Sequence, residues 1–421
     1  MNQSPGARQR SRWRLATLAD AGSVMTGNTP LTSEAENYGN FIPFVKPSQL
    51  LDRPVDSGEQ WLSQRGASKG RVAPAGAVLV SCIGVLGKTG LARVAVAFNQ
   101  QINAVVFRPD VLPAFGFYYA QTLRSWLYAQ SSATTLPIVN KGKFLAAPFP
   151  LVPIDEQREI VAEIEKQFSR LDEAVANLLR VKTNLKRHRA SILKAATGGT
   201  LFGDAGKAGW RDALIGEVGR VIGGLTKNPK REALPRKMPY LRVANVYANE
   251  LRLDQIEYIG VAEKEVEKLL VRRGDLLVVE GNGSPDQIGR VALWDGSIPD
   301  CVHQNHLIKV RLAADVLPQW ALIWLLSPDG RREIERVSSS TAGLHTLSTG
   351  KISRLPIPVP PLTEQHRIVA EVDRSLSIVR EVEAEVDANL QRAHALRQAV
   401  LRRSFGLPAL APTRDALPRL T

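Results

Sequence analysis

Four stretches of this chain place polar or charged side chains at spacings that could bind or react. The first is GVLGKTG, Gly84–Gly90. A phosphate-cradling loop needs Gly-x4-Gly-Lys-Thr at the start of a helix, whose free N–H groups then face the phosphates. Here Cys82 stands where the leading glycine belongs, and the residues that follow read as a strand. A tight hairpin is expected instead, with Lys88 and Thr89 at a tip that could face nucleic acid. The second stretch, GNGSPDQIG, Gly281–Gly289, occupies the matching place in the second half and differs in length and chemistry. The third, His303-x2-His306, offers half a metal site, but no Cys or acidic partner nearby completes it, so both histidines are read as core or surface residues. The fourth is a pair, FNQQIN (98–103) and VHQNHL (302–307), read as corresponding. Gln and Asn can bond adenine bidentately in the major groove; they also serve as ordinary buried hydrogen-bonding groups. Hydroxyls at Ser131-Ser132 and Ser338–Thr341 suit polar loops or phosphate contacts.

Catalytic chemistry is harder to find. No Lys is preceded two places earlier by Asp or Glu, so the common nuclease signature is missing. There is no Asn-Pro-Pro-aromatic or Asp-Pro-Pro-aromatic string for amino methylation, and no Gly-x-Ser-x-Gly elbow. The two cysteines, Cys82 and Cys301, exclude a disulfide scaffold and a cysteine-built zinc site. They suit a reducing compartment.

The elements that hold these stretches are set by a duplication. PFPLVPIDEQREIVAEI from Pro148 and PIPVPPLTEQHRIVAEV from Pro356 share nine of 17 positions. Trp13-Arg14 with Leu18, Gly22 and Gly27 answers Trp210-Arg211 with Ile215, Gly219 and Gly224. One unit of about 200 residues therefore occurs twice, far longer than a solenoid period. Each Pro-rich stretch is an extended lead-in, because proline lacks the N–H and fixes φ. A helix follows each, with Asp155 and Thr363 as expected N-caps.

Both helices carry a sustained 3/4 apolar spacing: Val161, Ile164, Phe168, Leu171, Val175, Leu178 and Leu185 in the first, Val369, Val372, Leu376, Val379, Val386 and Leu390 in the second. Such a stripe predicts a coiled coil rather than two helices that only cover their own domains. Residues 154–179 hold seven acids and three bases, whereas 180–194 hold six bases and no acid; 362–387 and 388–403 repeat that polarity. Parallel pairing would set acid beside acid, so antiparallel pairing is expected. About 40 helical residues span roughly 60 Å. The basic helix end, Lys182, Lys186, Arg187, Arg189 and Lys194, is read as a solvated face, a partner for the opposite helix or a backbone-contact strip. Strands are expected at 78–82, 91–98, 275–280 and 289–294, and helices at 115–130 and 319–327, with Gly198-Gly199 stopping the first long helix.

Of the 421 residues, Lys and Arg number 55 and Asp and Glu 41, a formal charge of +14. That favours a polyanionic partner, nucleic acid before an anionic membrane. At 44% apolar the chain can build real cores. No stretch reaches the roughly 20 apolar residues of a membrane span, and the basic start lacks the apolar run of a secretory signal.

These features together resemble the specificity subunit of type I restriction–modification systems. The resemblance rests on the two Pro-rich, Glu-Gln repeats and the heptad helix after each, with SSSTAGLHTLSTGKISRLPIPVPPLTEQ from Ser338 a full version of the lead-in and SSATTLPIVNKGKFLAAPFPLVPIDEQ a looser one. It implies an α+β chain with two tandem target recognition domains, separated by an antiparallel two-helix coiled coil. The expected layout is a basic tail 1–12, a recognition domain 13–150, a spacer helix 151–197, a second recognition domain 205–358, a second helix 359–405 and a loose tail 406–421. It implies no catalysis by this chain. Two modification subunits would bring S-adenosylmethionine for adenine methylation, and restriction subunits ATP and Mg²⁺ for translocation and cleavage, in a prokaryotic cytoplasm.

Candidate DNA contacts, chosen by loop position and residue type, are Lys46, Ser48, Lys69, Arg71, Lys88, Thr89, Gln100 and Gln101 in the first half. In the second they are Arg242, Asn245, Asn282, Ser284, Gln287, Arg290, His303, Gln304, Asn305, Ser339 and Thr341. The apolar stripe residues are candidates for the coiled coil and for subunit docking. The competing readings are a coiled-coil scaffold without sequence-specific DNA binding and a stand-alone DNA-modifying enzyme with an unusual site.

Overall fold

The computed structural model describes residues 13–132, 135–203, 206–281, 287–338 and 346–408. Asn282, Ser284, Ser339 and Thr341, the basic start and most of the expected tail lie outside them. Two compact units emerge: Leu179–Asp387 forms one, and the other ends at Leu178 and resumes at Ala388. Each is mixed α+β and contains parts of both long helices, which run Ile154–Gly198 and Leu362–Ser404.

In the first unit, the lead-in Pro148–Leu151 is a strand that pairs antiparallel with Arg14–Thr17. In the second, Pro356–Val359 pairs in the same way with Arg211–Leu214. A two-stranded ribbon tolerates these prolines because each strand has a free edge. The helices then begin two residues earlier than expected, at Ile154 and Leu362, so Asp155 and Thr363 sit in the first turn rather than at the cap. There Asp155 still faces the positive end of the helix.

The glutamine of each Glu-Gln pair explains why the repeat carries it. Gln157 is fully buried, accepts from the Leu112 amide at 2.7 Å and donates to the Asp110 and Val152 carbonyls at 2.8 and 2.7 Å. Gln365 accepts from Leu317 at 2.8 Å and donates to Asp315 and Pro360 at 2.9 and 2.8 Å. Leu112 and Leu317 are the N-cap residues of helices Pro113–Ala120 and Pro318–Leu326. One amide thus ties the long helix to the lead-in and to a core helix.

A central sheet in the first unit orders strands 22–26, 102–107, 78–81, 89–92 and 53–55; its counterpart in the second orders 219–223, 307–312, 276–279 and 291–293. A second sheet orders 60–62, 38–45, 96–98 and 72–73 in the first unit, against 257–260, 237–241 and 302–303 in the second. The expected single strand 91–98 is therefore two strands in different sheets, Thr89–Ala92 and Val96–Phe98, separated by a bend with Val94 exposed. The expected helix 115–130 is Pro113–Ala120 and Arg124–Gln130 joined by a 3-10 turn.

The long helices pack antiparallel within each unit. In the first, Val400, Leu401 and Phe405 share a core with Val161, Ile164 and Phe168. The Arg397 guanidinium lies 3.8 Å from the Phe168 ring centroid and pairs with Asp172 at 2.7 Å. In the second, Ile192, Leu193 and Ala196 meet Ile368, Val372, Leu376 and Val379, and Lys182 pairs with Asp387 at 2.6 Å. Every residue of the expected stripe is buried or half-buried, whereas Leu179, Ile378 and Leu396, off the stripe, are exposed. Gly199, at φ 76°, ends the first helix. The expected tail begins later than 406: the Leu407 amide bonds to Arg402 at 2.8 Å, and its side chain packs on the first unit's core.

Candidate nucleic-acid interface

The polar loops of each unit are built by one repeated device. Strand Tyr38–Val45 ends in a 3-10 turn, where Gln49 accepts from the Lys46 amide at 3.0 Å. Strand Lys237–Leu241 ends likewise, where Asn245 accepts from the Arg242 amide at 2.8 Å. Beside each runs a short parallel strand, Val96–Phe98 or Val302–His303. Its exit is clamped by a backbone bond, Asn99 to Val45 at 3.1 Å or Gln304 to Leu241 at 2.9 Å. Gly27 and Gly224 press against these exits so closely that an added Cβ would lie 2.2 Å from a carbonyl oxygen. The structure therefore matches Phe98 with His303, one residue away from the alignment expected from sequence.

This device brings Lys46, Gln100 and Gln101 together in the first unit, and Arg242, Gln304 and Asn305 in the second. Thr29 donates to Gln100 at 2.7 Å, while Lys69 pairs with Glu34 at 2.5 Å and accepts from Asn28 through its carbonyl at 2.9 Å. Lys69 and Gln100 thus brace one loop, with Ser48 and Arg71 exposed nearby in sequence. In the second unit Gln304 accepts from the Val243 amide at 3.3 Å, Arg242 pairs with Glu257 at 2.7 Å, and His306 pairs with Glu280 at 3.0 Å.

Three candidates are corrected. Thr89 is fully buried, and its hydroxyl and amide both bond to Asp52 at 2.9 Å. Asn245 is buried, and its amide nitrogen donates to the Arg252 and Gln255 carbonyls at 2.7 and 3.1 Å. His303 is fully buried with Nδ1 2.8 Å from the Leu307 carbonyl, and burial pushes its pKa down to about 4. None of the three presents an edge to a partner in this conformation. Residues Gly84–Gly90 form the expected hairpin: Ser81 accepts from the Lys88 amide at 2.9 Å, and a strand follows. Among the described residues no group of three His, Cys, Asp or Glu is placed to hold a metal, and no helix is long and apolar enough to cross a membrane.

Sequence reasoning missed a buried charged layer in the second unit. Lys309 donates to the Lys268 and Leu270 carbonyls at 2.8 Å, at the end of helix Glu263–Leu269, and burial holds its pKa down to about 8. Arg311 forks onto Asp275 with two bonds of 2.7 Å. The matching residues of the first unit are Ala104 and Val106, so no repeat pattern announces this layer.

A family model, the type I restriction modification DNA specificity domain, matches residues 10–180 and again 207–388. The chain belongs to this family. The two matches coincide with the two repeats, so each repeat is one specificity domain. The chain is similar to the EcoKI specificity subunit of Escherichia coli (strain K12), 23% identical with 93% of this chain and 88% of that one covered. It is similar to the StySPI specificity subunit of Salmonella potsdam, 22% identical over the same shares. A solved chain from work on complex assembly and conformational transition of the type I R-M system superposes with a TM-score of 0.72 at 20% identity, covering 94% of this chain and 98% of that one. That likeness shows a common fold.

Proposed function

We propose that this chain is the DNA-specificity subunit of a type I restriction–modification complex, and that it reads a two-part, asymmetric DNA site. The observation that carries this is the double match of the specificity-domain family, once per repeat, over chemically different polar loops. The recognition domains are residues 13–150 and 205–358, joined by the helices 151–197 and 359–405. Lys46, Ser48, Lys69, Arg71, Lys88, Gln100 and Gln101 serve the first half-site. Arg242, Gln287, Arg290, Gln304 and Asn305 serve the second, as do Asn282, Ser284, Ser339 and Thr341, which lie outside the described residues. Lysines and arginines set affinity and register on phosphates, while amides and guanidinium forks read base edges.

The chain performs no chemistry itself. Two modification subunits dock on it and methylate adenine with S-adenosylmethionine; restriction subunits add ATP- and Mg²⁺-dependent cleavage in the cytoplasm of a prokaryote. Mapping methylated adenines genome-wide, with and without the gene, tests this. A two-part motif with a fixed gap, present only with the gene, is expected; an unchanged methylation map would refute it.

A further inference from the structure

Each unit fastens a strap of chain to a short helix by ion pairs, and the two units do so with opposite polarity. In the first, residues 28–41 carry two acids and no base. Glu34 pairs with Lys69 at 2.5 Å and Glu36 pairs with Arg65, both bases lying on helix Gln64–Lys69. In the second, the corresponding residues 225–237 carry five bases against Glu232. Here Arg231 forks onto Glu265 at 2.9 and 3.0 Å, and Arg236 pairs with Glu263 at 2.6 Å, both acids lying on helix Glu263–Leu269. The fastening therefore takes up Arg231 and Arg236. Lys227, Lys230 and Lys237 are surplus to it, and all three are exposed. Lys237 donates to the backbone carbonyl of Glu232 at 2.6 Å, and among the described residues neither it nor Lys230 stands in an ion pair.

The basic strap leaves from the polar loop that carries Gln304 and Asn305. The Asn305 amide donates to the Leu225 carbonyl at 2.9 Å, and the Leu225 amide donates to the His303 carbonyl at 2.8 Å. Lys227, two residues further on, shares the Glu257 carboxylate with Arg242, at 3.3 and 2.7 Å. One acid between two bases leaves that edge net positive. The strap of the first unit starts in the same way, with the Asn28 amide on the Phe98 carbonyl at 3.0 Å and the Thr29 hydroxyl on Gln100 at 2.7 Å, but it supplies no base. Lysine is a compact charge on a flexible stem, suited to phosphates whatever the base sequence. We propose that Lys227, Lys230 and Lys237 hold the phosphate backbone beside the second half-site, and that the first half-site has no matching anchor. This contact rests on the functional reading above and adds to it an electrostatic asymmetry between the two readers.

The test uses the full chain co-purified with its modification subunits, and duplexes of the mapped motif carrying single neutral methylphosphonates. Lys227→Gln, Lys230→Gln and Lys237→Gln together are expected to lower the slope of log affinity against log salt by about 2 to 3 and to weaken binding about tenfold at physiological salt. Replacing all three by arginine keeps the charge and is expected to keep the slope. The preferred sequence stays the same in both variants. In the wild type, about two or three phosphates beside the second half-site are expected to weaken binding when neutralised. The Gln variant becomes indifferent to those positions and keeps its sensitivity beside the first half-site. A Gln variant with the wild-type slope and profile overturns the proposal, as does one whose lost phosphates lie beside the first half-site. Loss of the modification subunits with the slope intact also overturns it and would assign the strap to an acidic protein surface. If the Gln variant does not fold, a wild-type scan with no sensitive phosphate beside the second half-site overturns it alone. Wild-type binding that ignores salt would instead sink the functional reading itself.

Discussion

Gln157 and Gln365 show how one side chain sets a local architecture twice. Each amide satisfies three buried backbone groups, so replacement by leucine leaves an N–H and two carbonyls without partners. At roughly 1–3 kcal/mol for a buried unsatisfied group, partly offset by relaxation, Gln365→Leu is expected to destabilise the second unit by about 3 kcal/mol, read by denaturant unfolding; a change below about 1 kcal/mol would contradict the network's role. His303 gives a pH test. Its folded pKa is about 4, lowered chiefly by burial, against an ordinary 6.5. The unfolded chain takes up the proton first, so stability falls as pH drops from about 6.5 to about 4, by roughly 3 kcal/mol in all. Phenylalanine, which stands at the matching position 98, removes the titration: His303→Phe is expected to flatten that limb of the stability curve. An unchanged acid limb would count against burial as its cause. The repeated glutamines were legible in the sequence as a motif, but their reason was not, since the partners lie 45 and 48 residues away.

The long helices were legible as elements because a heptad stripe and a charge gradient are local patterns. Their energetics divide unequally. The ion pairs Lys182–Asp387 and Arg397–Asp172 are largely solvent-exposed on at least one side and contribute at most about 1 kcal/mol each. The buried seam holds the pair. Leu376→Ala is expected to cost roughly 3 kcal/mol and Asp387→Asn less than about 1 kcal/mol, compared by thermal unfolding of the full chain. The reverse order would mean that charge, not apolar packing, holds the helices. The sheets were less legible. The run Leu91–Phe98 looks like one strand because both of its ends are apolar, yet the chain changes sheet at its middle. The one-residue error between FNQQIN and VHQNHL has a related origin: the strand that fixes the register is only two residues long in the second unit. Thr89, Asn245 and His303 look like surface readers by type and loop position, and only the fold reveals their buried partners.

At the scale of the whole chain, the sequence carries its function in its duplication. The Pro-rich lead-ins, the Glu-Gln pairs and the two heptad helices recur, while the loops beside Lys46 and Arg242 diverge. That division suits a protein whose scaffold is constant and whose two readers differ. On the proposed function, each repeat reads its own part of the DNA site. The most direct measurement is to exchange residues 13–150 for those of a relative of known specificity and map methylated adenines in cells carrying the hybrid. One half of the motif is expected to change to the donor's while the other half and the gap stay as they were. A hybrid in which both halves change, or neither does, would contradict it.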